Sequence, residues 1–160
     1  MRVQVLQRMR SANRGKALAA LAIALSAAGC SRSDDAAVPV GCKEGPDSVR
    51  AALARAPARV ELDGTPLSEC FTRGSAGADL QQVGASYVTV AGRLADRARL
   101  EPDGPDALRL GYLVGAARRG ASSTQGVHDE LMRRIEQELT GLDTGTAAYR
   151  RGYRAGRDHG

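Results

Sequence analysis

The chain has 160 residues, of which 23 are basic and 18 acidic, so its formal net charge is +5. A basic excess is typical of proteins that bind nucleic acid, but here it is confined to residues 1–29, which contain five basic residues and no acidic one. The rest of the chain is formally neutral, which argues against a nucleic-acid partner. With one Phe, four Tyr and no Trp, the core has to be built from aliphatic side chains and Ala.

Residues 1–29 have the order of an export signal peptide. A basic segment, residues 1–16, precedes an apolar run, residues 17–27, and small residues follow up to Cys30. The apolar run spans only about 16 Å as a helix, whereas a hydrocarbon core is about 30 Å thick. We therefore expect a cleaved signal peptide and not a permanent transmembrane anchor.

The sequence Ala27-Ala28-Gly29-Cys30 resembles the lipobox of bacterial lipoprotein precursors, with Ala27 at the usual leucine position. The resemblance covers residues 1–31. It implies that the Cys30 thiol receives diacylglycerol and that cleavage follows Gly29, with palmitate or a similar chain on the new amine. Two or three acyl chains make a durable membrane anchor. The alternative is an ordinary secretory signal in which Cys30 is incidental.

Residues 30–41 form the expected lipidated N-terminus and tether. Their polar composition, without periodicity, predicts a flexible segment with a reach of about 20 Å. The protein is then expected outside the cytoplasm, held by lipid on a membrane. Because Ser31 and not aspartate follows the cysteine, the resemblance favours the outer membrane if the host has one, and otherwise the outer face of the cytoplasmic membrane.

Residues 42–160 predict a single all-α domain, a small bundle of four or five short helices with one small hairpin or extended loop. The first helix is expected to start near Asp47, which can cap it, and to end at Pro57. The Asp63-Gly64 turn predicts the hairpin, with a second arm resuming at Leu67. A second helix shows an apolar stripe at helical spacing: Leu80, Val83, Tyr87, Val90 and Leu94.

The third predicted helix, from Asp106 to about Arg119, is apolar nearly all round and is expected at the centre. Gly111 and Gly115, four residues apart, would let a neighbouring backbone approach closely. A fourth helix, capped by Thr124, is expected to point one set of side chains inward: Val127, Leu131, Ile135, Leu139 and Leu142. A last helix follows Thr146, with two tyrosines on one face and two glycines beside them: Tyr149, Tyr153, Gly152 and Gly156.

Cys42 and Cys70 are the cysteines that remain once Cys30 carries lipid. An even pair in an exported domain predicts one disulfide. The bond would close a loop of 28 residues and stabilise the fold by about 3.5 kcal/mol in the chain-entropy model. Two free thiols or a metal pair are the alternatives.

Catalytic and metal motifs are not evident in the sequence, which contains no nucleophile elbow, phosphate loop or zinc spacing. His128 and His159 are expected in solvated or capping roles, His159 in a frayed tail. The sequence therefore predicts a protein without catalytic residues, cofactor or metal. An enzyme using His128 with Tyr112 or Asp129 is the least favoured reading.

The Arg/Tyr/Gly segments 111–120 and 149–157 supply a candidate site for a phosphate or carboxylate group. Its residues would be Tyr112, Arg118, Arg119, Tyr153 and Arg154. The alternative is that the acidic fourth helix neutralises these arginines within the fold, through Asp129, Glu130, Glu136 and Glu138.

The leading functional hypothesis is a non-catalytic binding or interaction module at the membrane surface, with another envelope protein as a candidate partner. A small-ligand or anion binder using the Arg/Tyr/Gly segments is the alternative. The part after Cys30 also resembles small uncharacterised envelope lipoproteins of high-GC bacteria, a likeness that implies no activity.

Overall fold

The computed structural model describes residues 37–73, 77–122 and 126–160. The expected signal peptide, Cys30 and most of the expected tether lie outside the described residues. Within the described part, the predicted all-α fold with one small hairpin and one disulfide is confirmed. Its elements in chain order are α1 (Pro46–Ala52), β1 (Glu61–Leu62), β2 (Thr65–Pro66), α2 (Leu67–Thr72), α3 (Gly77–Leu100), α4 (Pro105–Ala121), α5 (Val127–Gln137) and α6 (Ala147–His159).

The folded part begins before Cys42, the predicted boundary. Val38 is buried, and a 3₁₀ turn runs from Val40 to Lys43. Cys42 is bonded to Cys70 of α2, with the two Cα atoms 5.5 Å apart, as the sequence predicts. The bond attaches the N-terminal segment of the domain, residues 38–43, to α2. We call this segment the chain entry.

Helix α1 differs from the prediction at both ends. It stops at Ala52, before a 3₁₀ turn at Leu53–Arg55, and does not extend to Pro57. Gly45 is the N-cap residue, with φ +93°, and Pro46 takes the first helical position, where its missing N–H costs no hydrogen bond. Asp47 lies inside the first turn and therefore cannot cap the helix. Its exposed carboxylate instead lies 3.8 Å from Arg50 and 3.4 Å from Arg93.

The hairpin turns at Asp63 and Gly64, as predicted. Both residues have positive φ, +47° and +76°, the combination found in type I′ turns. The strands pair antiparallel, with Leu62 opposite Thr65. The second arm ends at Pro66 and does not continue through Leu67, which begins α2.

Helix α4 lies at the centre and packs against α2, α3, α5 and α6. Its side chains are buried nearly all round, which confirms the central position predicted for it. The predicted stripe of α3 faces the core, with all its members buried: Leu80, Val83, Tyr87, Val90 and Leu94.

Helix α5 starts at Val127, after Gly126 with φ +73°. Thr124, the predicted cap, lies outside the described residues. Leu139 and Leu142, also predicted to point inward, follow the end of α5 and are only partly buried. Val127 is half exposed, contrary to the prediction, because His128 takes the inward position in the first turn of the buried face. That face consists of His128, Leu131, Met132 and Ile135.

Helices α4 and α6 approach so closely that their glycines leave no room for a side chain. A Cβ on any of these glycines would overlap a carbonyl oxygen of the other helix. The overlaps would be Gly111 with Tyr149, Gly115 with Tyr153, Gly152 with Leu108, and Gly156 with Tyr112. The close approach predicted from Gly111 and Gly115 is thus confirmed, and α6 supplies a matching pair.

Both ends of α6 are fixed. The Thr146 hydroxyl accepts a hydrogen bond from the Tyr149 N–H at 3.2 Å. At the other end the helix continues through His159, which was expected in a frayed tail. Gly160 is buried, and its carbonyl oxygen accepts a hydrogen bond from the Ser68 hydroxyl of α2.

Candidate binding site

The two sides of α6 have opposite chemistry. Gly152 and Gly156 face α4, whereas Arg150, Arg154 and Arg157 are exposed. Positions 150, 154 and 157 are four and three residues apart, so their side chains form one row, about 10 Å long, on the side opposite the glycines. We call these three residues the arginine stripe.

A cleft of about 450 Å³ lies beside the stripe, against α4 and the segment after α5. We call it the α6 cleft. The rings of Tyr149 and Tyr153 are stacked on one side of it, with centroids 6.4 Å apart and planes inclined by 15°. Its lining is Val114, Arg118, Leu139, Thr144, Tyr149, Arg150, Tyr153 and Arg154.

The three arginines of the α6 cleft differ in their partners. Arg118 pairs with Glu136 of α5 at 2.6 Å, with both side chains about half exposed. Arg150 and Arg154 make neither an ion pair nor a side-chain hydrogen bond with any described residue. Their guanidinium groups keep all their donors for a ligand, and the planar fork of each suits a phosphate or carboxylate.

Burial determines the protonation state of Tyr149, which lines the α6 cleft. Tyr149 is only 6% exposed, and burial, together with the neighbouring Tyr153, raises its pKa to about 12. The phenol is therefore neutral at physiological pH. It adds an apolar ring surface without adding negative charge beside the arginines.

The structure brings together part of the predicted site. Arg118, Tyr153 and Arg154 all line the α6 cleft. The other two residues have roles inside the fold: Tyr112 is buried and its hydroxyl accepts a hydrogen bond from the Val60 N–H at 3.0 Å, and Arg119 donates to two carbonyl oxygens at the end of α6, those of Arg157 and Asp158.

Tyr149 and Arg150 line the cleft and belong to the predicted segment 149–157, although they are not in the set of five residues named for the site. Each lies four residues before a member of that set, Tyr153 and Arg154, so helical periodicity could have identified both. The lining contributed by Val114, Leu139 and Thr144 depends on how separate elements pack and has no local signal.

His128 is buried, whereas a solvated or capping role was expected. Its Nε2 donates to the Phe71 carbonyl oxygen at 3.0 Å, and its ring packs edge-on against the Phe71 ring. The histidine therefore links α5 to α2. His159 is exposed on α6. In the described ranges, no group of three or more His, Cys, Asp or Glu side chains is placed to hold a metal ion.

A second cleft, of about 570 Å³, lies where α2, α4 and the end of α6 meet. Its two arginines already have partners: Arg59 pairs with Glu61 at 2.6 Å, and Arg119 holds the α6 carbonyls. An anion there would have to compete with these contacts. The α6 cleft, with two unpaired guanidinium groups, is the stronger candidate.

Comparison with protein-family models, curated proteins and solved structures finds no match for this chain. A search of the described helices for one long and apolar enough to cross a membrane also finds none.

Proposed function

We propose that this protein is a lipid-anchored, extracytoplasmic envelope protein that acts as a non-catalytic binding module. Its ligand or partner presents an anionic group to the α6 cleft. The observation that carries the binding proposal is the pair of unpaired guanidinium groups, Arg150 and Arg154, beside the stacked Tyr149 and Tyr153 rings.

The anchoring part of the proposal is supported by the pattern of residues 1–31, which resembles a lipoprotein signal with Cys30 as the lipidated residue. The Cys42–Cys70 disulfide is consistent with it, because such bonds persist in oxidising compartments outside the cytoplasm. A single disulfide that joins the start of the domain to α2 also suits a protein held by its N-terminus.

The binding part of the proposal is supported by which arginines have partners inside the fold and which do not. Among the described residues, the arginines without an ion pair or side-chain hydrogen bond are Arg55 and four on α6: Arg150, Arg151, Arg154 and Arg157. Unneutralised charge is thus concentrated on one helix. A phosphate or carboxylate there would gain charge-assisted hydrogen bonds.

Mass spectrometry of the protein extracted from membranes tests the anchoring. The mature N-terminus should be Cys30 with the mass of diacylglycerol attached, with or without a further acyl chain. Cys30→Ser should prevent lipidation and leave uncleaved or released protein. A soluble product cut at another position would contradict the anchor.

Calorimetric titration of the membrane-extracted protein in detergent with tripolyphosphate tests the cleft. Arg150→Gln/Arg154→Gln should weaken binding at least tenfold, because each lost charge-assisted hydrogen bond is worth about 1.5–3 kcal/mol. Arg133→Gln/Arg134→Gln on α5 is the matched control, since it removes the same charge from two exposed positions that do not line the α6 cleft. Equal affinity in the two double variants would contradict the assignment of the cleft.

A further inference from the structure

The arginine stripe has no internal counterpart, and its charges are close enough to repel one another. Arg150 and Arg154 are four residues apart, and Arg154 is three residues from both Arg151 and Arg157. Like charges at these spacings destabilise a helix. On α5, by contrast, Glu130 bonds to both Arg133 and Arg134 at 2.8 Å, and these bonds hold the pKa of the Glu130 carboxyl below its ordinary value. No described carboxylate forms an ion pair with the stripe, not even Asp158, four residues after Arg154, so a bound external anion would reduce this repulsion.

The arginine stripe is part of a basic surface that extends past the α6 cleft. Arg151 and Arg157 lie beyond the α6 cleft lining, yet both are exposed on the same helix. One small anion cannot contact a row about 10 Å long at all its positions. An extended array of anionic groups can.

The position of the arginine stripe relative to the chain entry indicates which kind of anionic array it would meet. Helix α2 is six residues long and connects both regions: Cys70 is bonded to Cys42 at the entry, and Ser68 is hydrogen-bonded to Gly160 at the end of α6. The entry of the chain and the Arg157 end of the stripe therefore lie at the same end of the domain. The lipid proposed on Cys30 is attached through this entry.

We infer that the arginine stripe docks the domain onto the anionic phospholipid headgroups of the leaflet that holds the Cys30 lipid, with one headgroup phosphate in the α6 cleft. This inference rests on the proposed function, since the anchor supplies the nearby surface. The domain then lies with α6 against the membrane. The attraction depends on ionic strength, because exposed charges are screened over about 10 Å at 0.1 M salt.

Chemical footprinting of the reconstituted protein tests the inference. The lipidated protein is incorporated at equal density into phosphatidylcholine vesicles with and without phosphatidylglycerol, and its arginines are modified with phenylglyoxal and counted by peptide mass spectrometry. Arg150, Arg154 and Arg157 should be protected in the anionic vesicles only, and added salt should remove the protection. Arg134 on α5, which is exposed and lines no cleft with the stripe, should react equally in both.

Variants of the same protein separate a docking role from general exposure. Arg154→Gln/Arg157→Gln should shift the docked-to-free ratio by about 30-fold, from two lost lipid-facing charges, and should return Arg150 to the reactivity seen in neutral vesicles. Arg133→Gln/Arg134→Gln should leave the protection of Arg150 unchanged. Both variants change exposed side chains, so thermal melting should show that each is folded.

Equal modification of the stripe in neutral and anionic vesicles would overturn the membrane assignment. If tripolyphosphate then still bound in an Arg154-dependent way, the proposed function would stand and the partner would be a soluble, polymeric or protein-borne anion. If neither the vesicles nor tripolyphosphate engaged the arginines, the binding proposal itself would be wrong. Protection that persists in Arg154→Gln/Arg157→Gln would also contradict docking through the stripe.

Discussion

The two ends of the folded domain are held by different means. The entry is fixed covalently, since Cys42 is bonded to Cys70 of α2. The last helix, α6, is fixed by close backbone contact, because Gly152 and Gly156 lie directly against α4. A chain with few aromatic side chains gains little from burying each residue, so a bond at one end and tightly fitted helices at the other make up for a modest core.

The way in which α6 is held leaves one of its sides free for charged groups. The glycine contact uses one side of α6 completely and contributes no charged group, which leaves the other side free to carry Arg150, Arg154 and Arg157. At the entry, the available cations are instead used within the fold, as in the Lys43–Asp79 pair at 3.4 Å. Among the described residues, positive charge without an ion pair is therefore concentrated on the last helix, α6.

The largest expected effect comes from breaking the α4–α6 contact. Gly115→Leu should lower the free energy of unfolding by more than about 4 kcal/mol, because the new side chain meets the Tyr153 backbone, which cannot move without displacing α6. Urea denaturation monitored by circular dichroism measures the change. Gly77→Ala is the control, since a Cβ there meets no atom within 4 Å. Comparable stability in the two variants would show that the interface is not tight.

The second-largest loss of stability should follow from breaking the disulfide at the chain entry. Reduction of the Cys42–Cys70 bond should lower the free energy of unfolding by about 3.5 kcal/mol, the chain-entropy value for a loop of 28 residues. Intact mass without reductant should be two hydrogens below that of the reduced protein. Urea denaturation with and without reductant gives the energetic term, and Cys42→Ser/Cys70→Ser should match the reduced protein. Two alkylatable thiols in the isolated protein would contradict the bond.

A smaller effect should appear in alkaline solution. Burial raises the pKa of Tyr149 from 10.0 to about 12, so the folded state binds the phenolic proton more tightly than the unfolded state. The associated stability, about 2–3 kcal/mol, is fully present below pH 10 and is lost as the pH rises through 12. Tyr149→Phe removes this titration while keeping the ring, so its stability should fall less steeply between pH 10 and 12. Identical slopes would contradict the shifted pKa.

Much of the fold could be predicted from local pattern, and the site only in part. The 3, 4, 3, 4 spacing in α3 and the apolar character of α4 identify their helices and buried faces directly. Helix α2 was missed because six residues after a proline are too few to show a helical period. His128 was misplaced because its partner, the Phe71 carbonyl, is 57 positions away along the chain. In the α6 cleft, the four-residue spacings from Tyr149 to Tyr153 and from Arg150 to Arg154 were readable. Neutralisation of Arg118 by the acidic fourth helix was one of two alternatives left open by the sequence, and the packing of α5 decides it through Glu136.

The smallest expected change in stability separates the two kinds of arginine within the cleft. The Arg118–Glu136 pair is about half exposed, so Glu136→Gln should cost less than about 1 kcal/mol. It should nevertheless strengthen tripolyphosphate binding, because Arg118 is released to join Arg150 and Arg154. Glu138→Gln removes the same charge from a carboxylate without an ion pair among the described residues, and serves as the control. If both variants strengthened binding equally, the gain would reflect net charge alone, and Arg118 would have no specific role in the cleft.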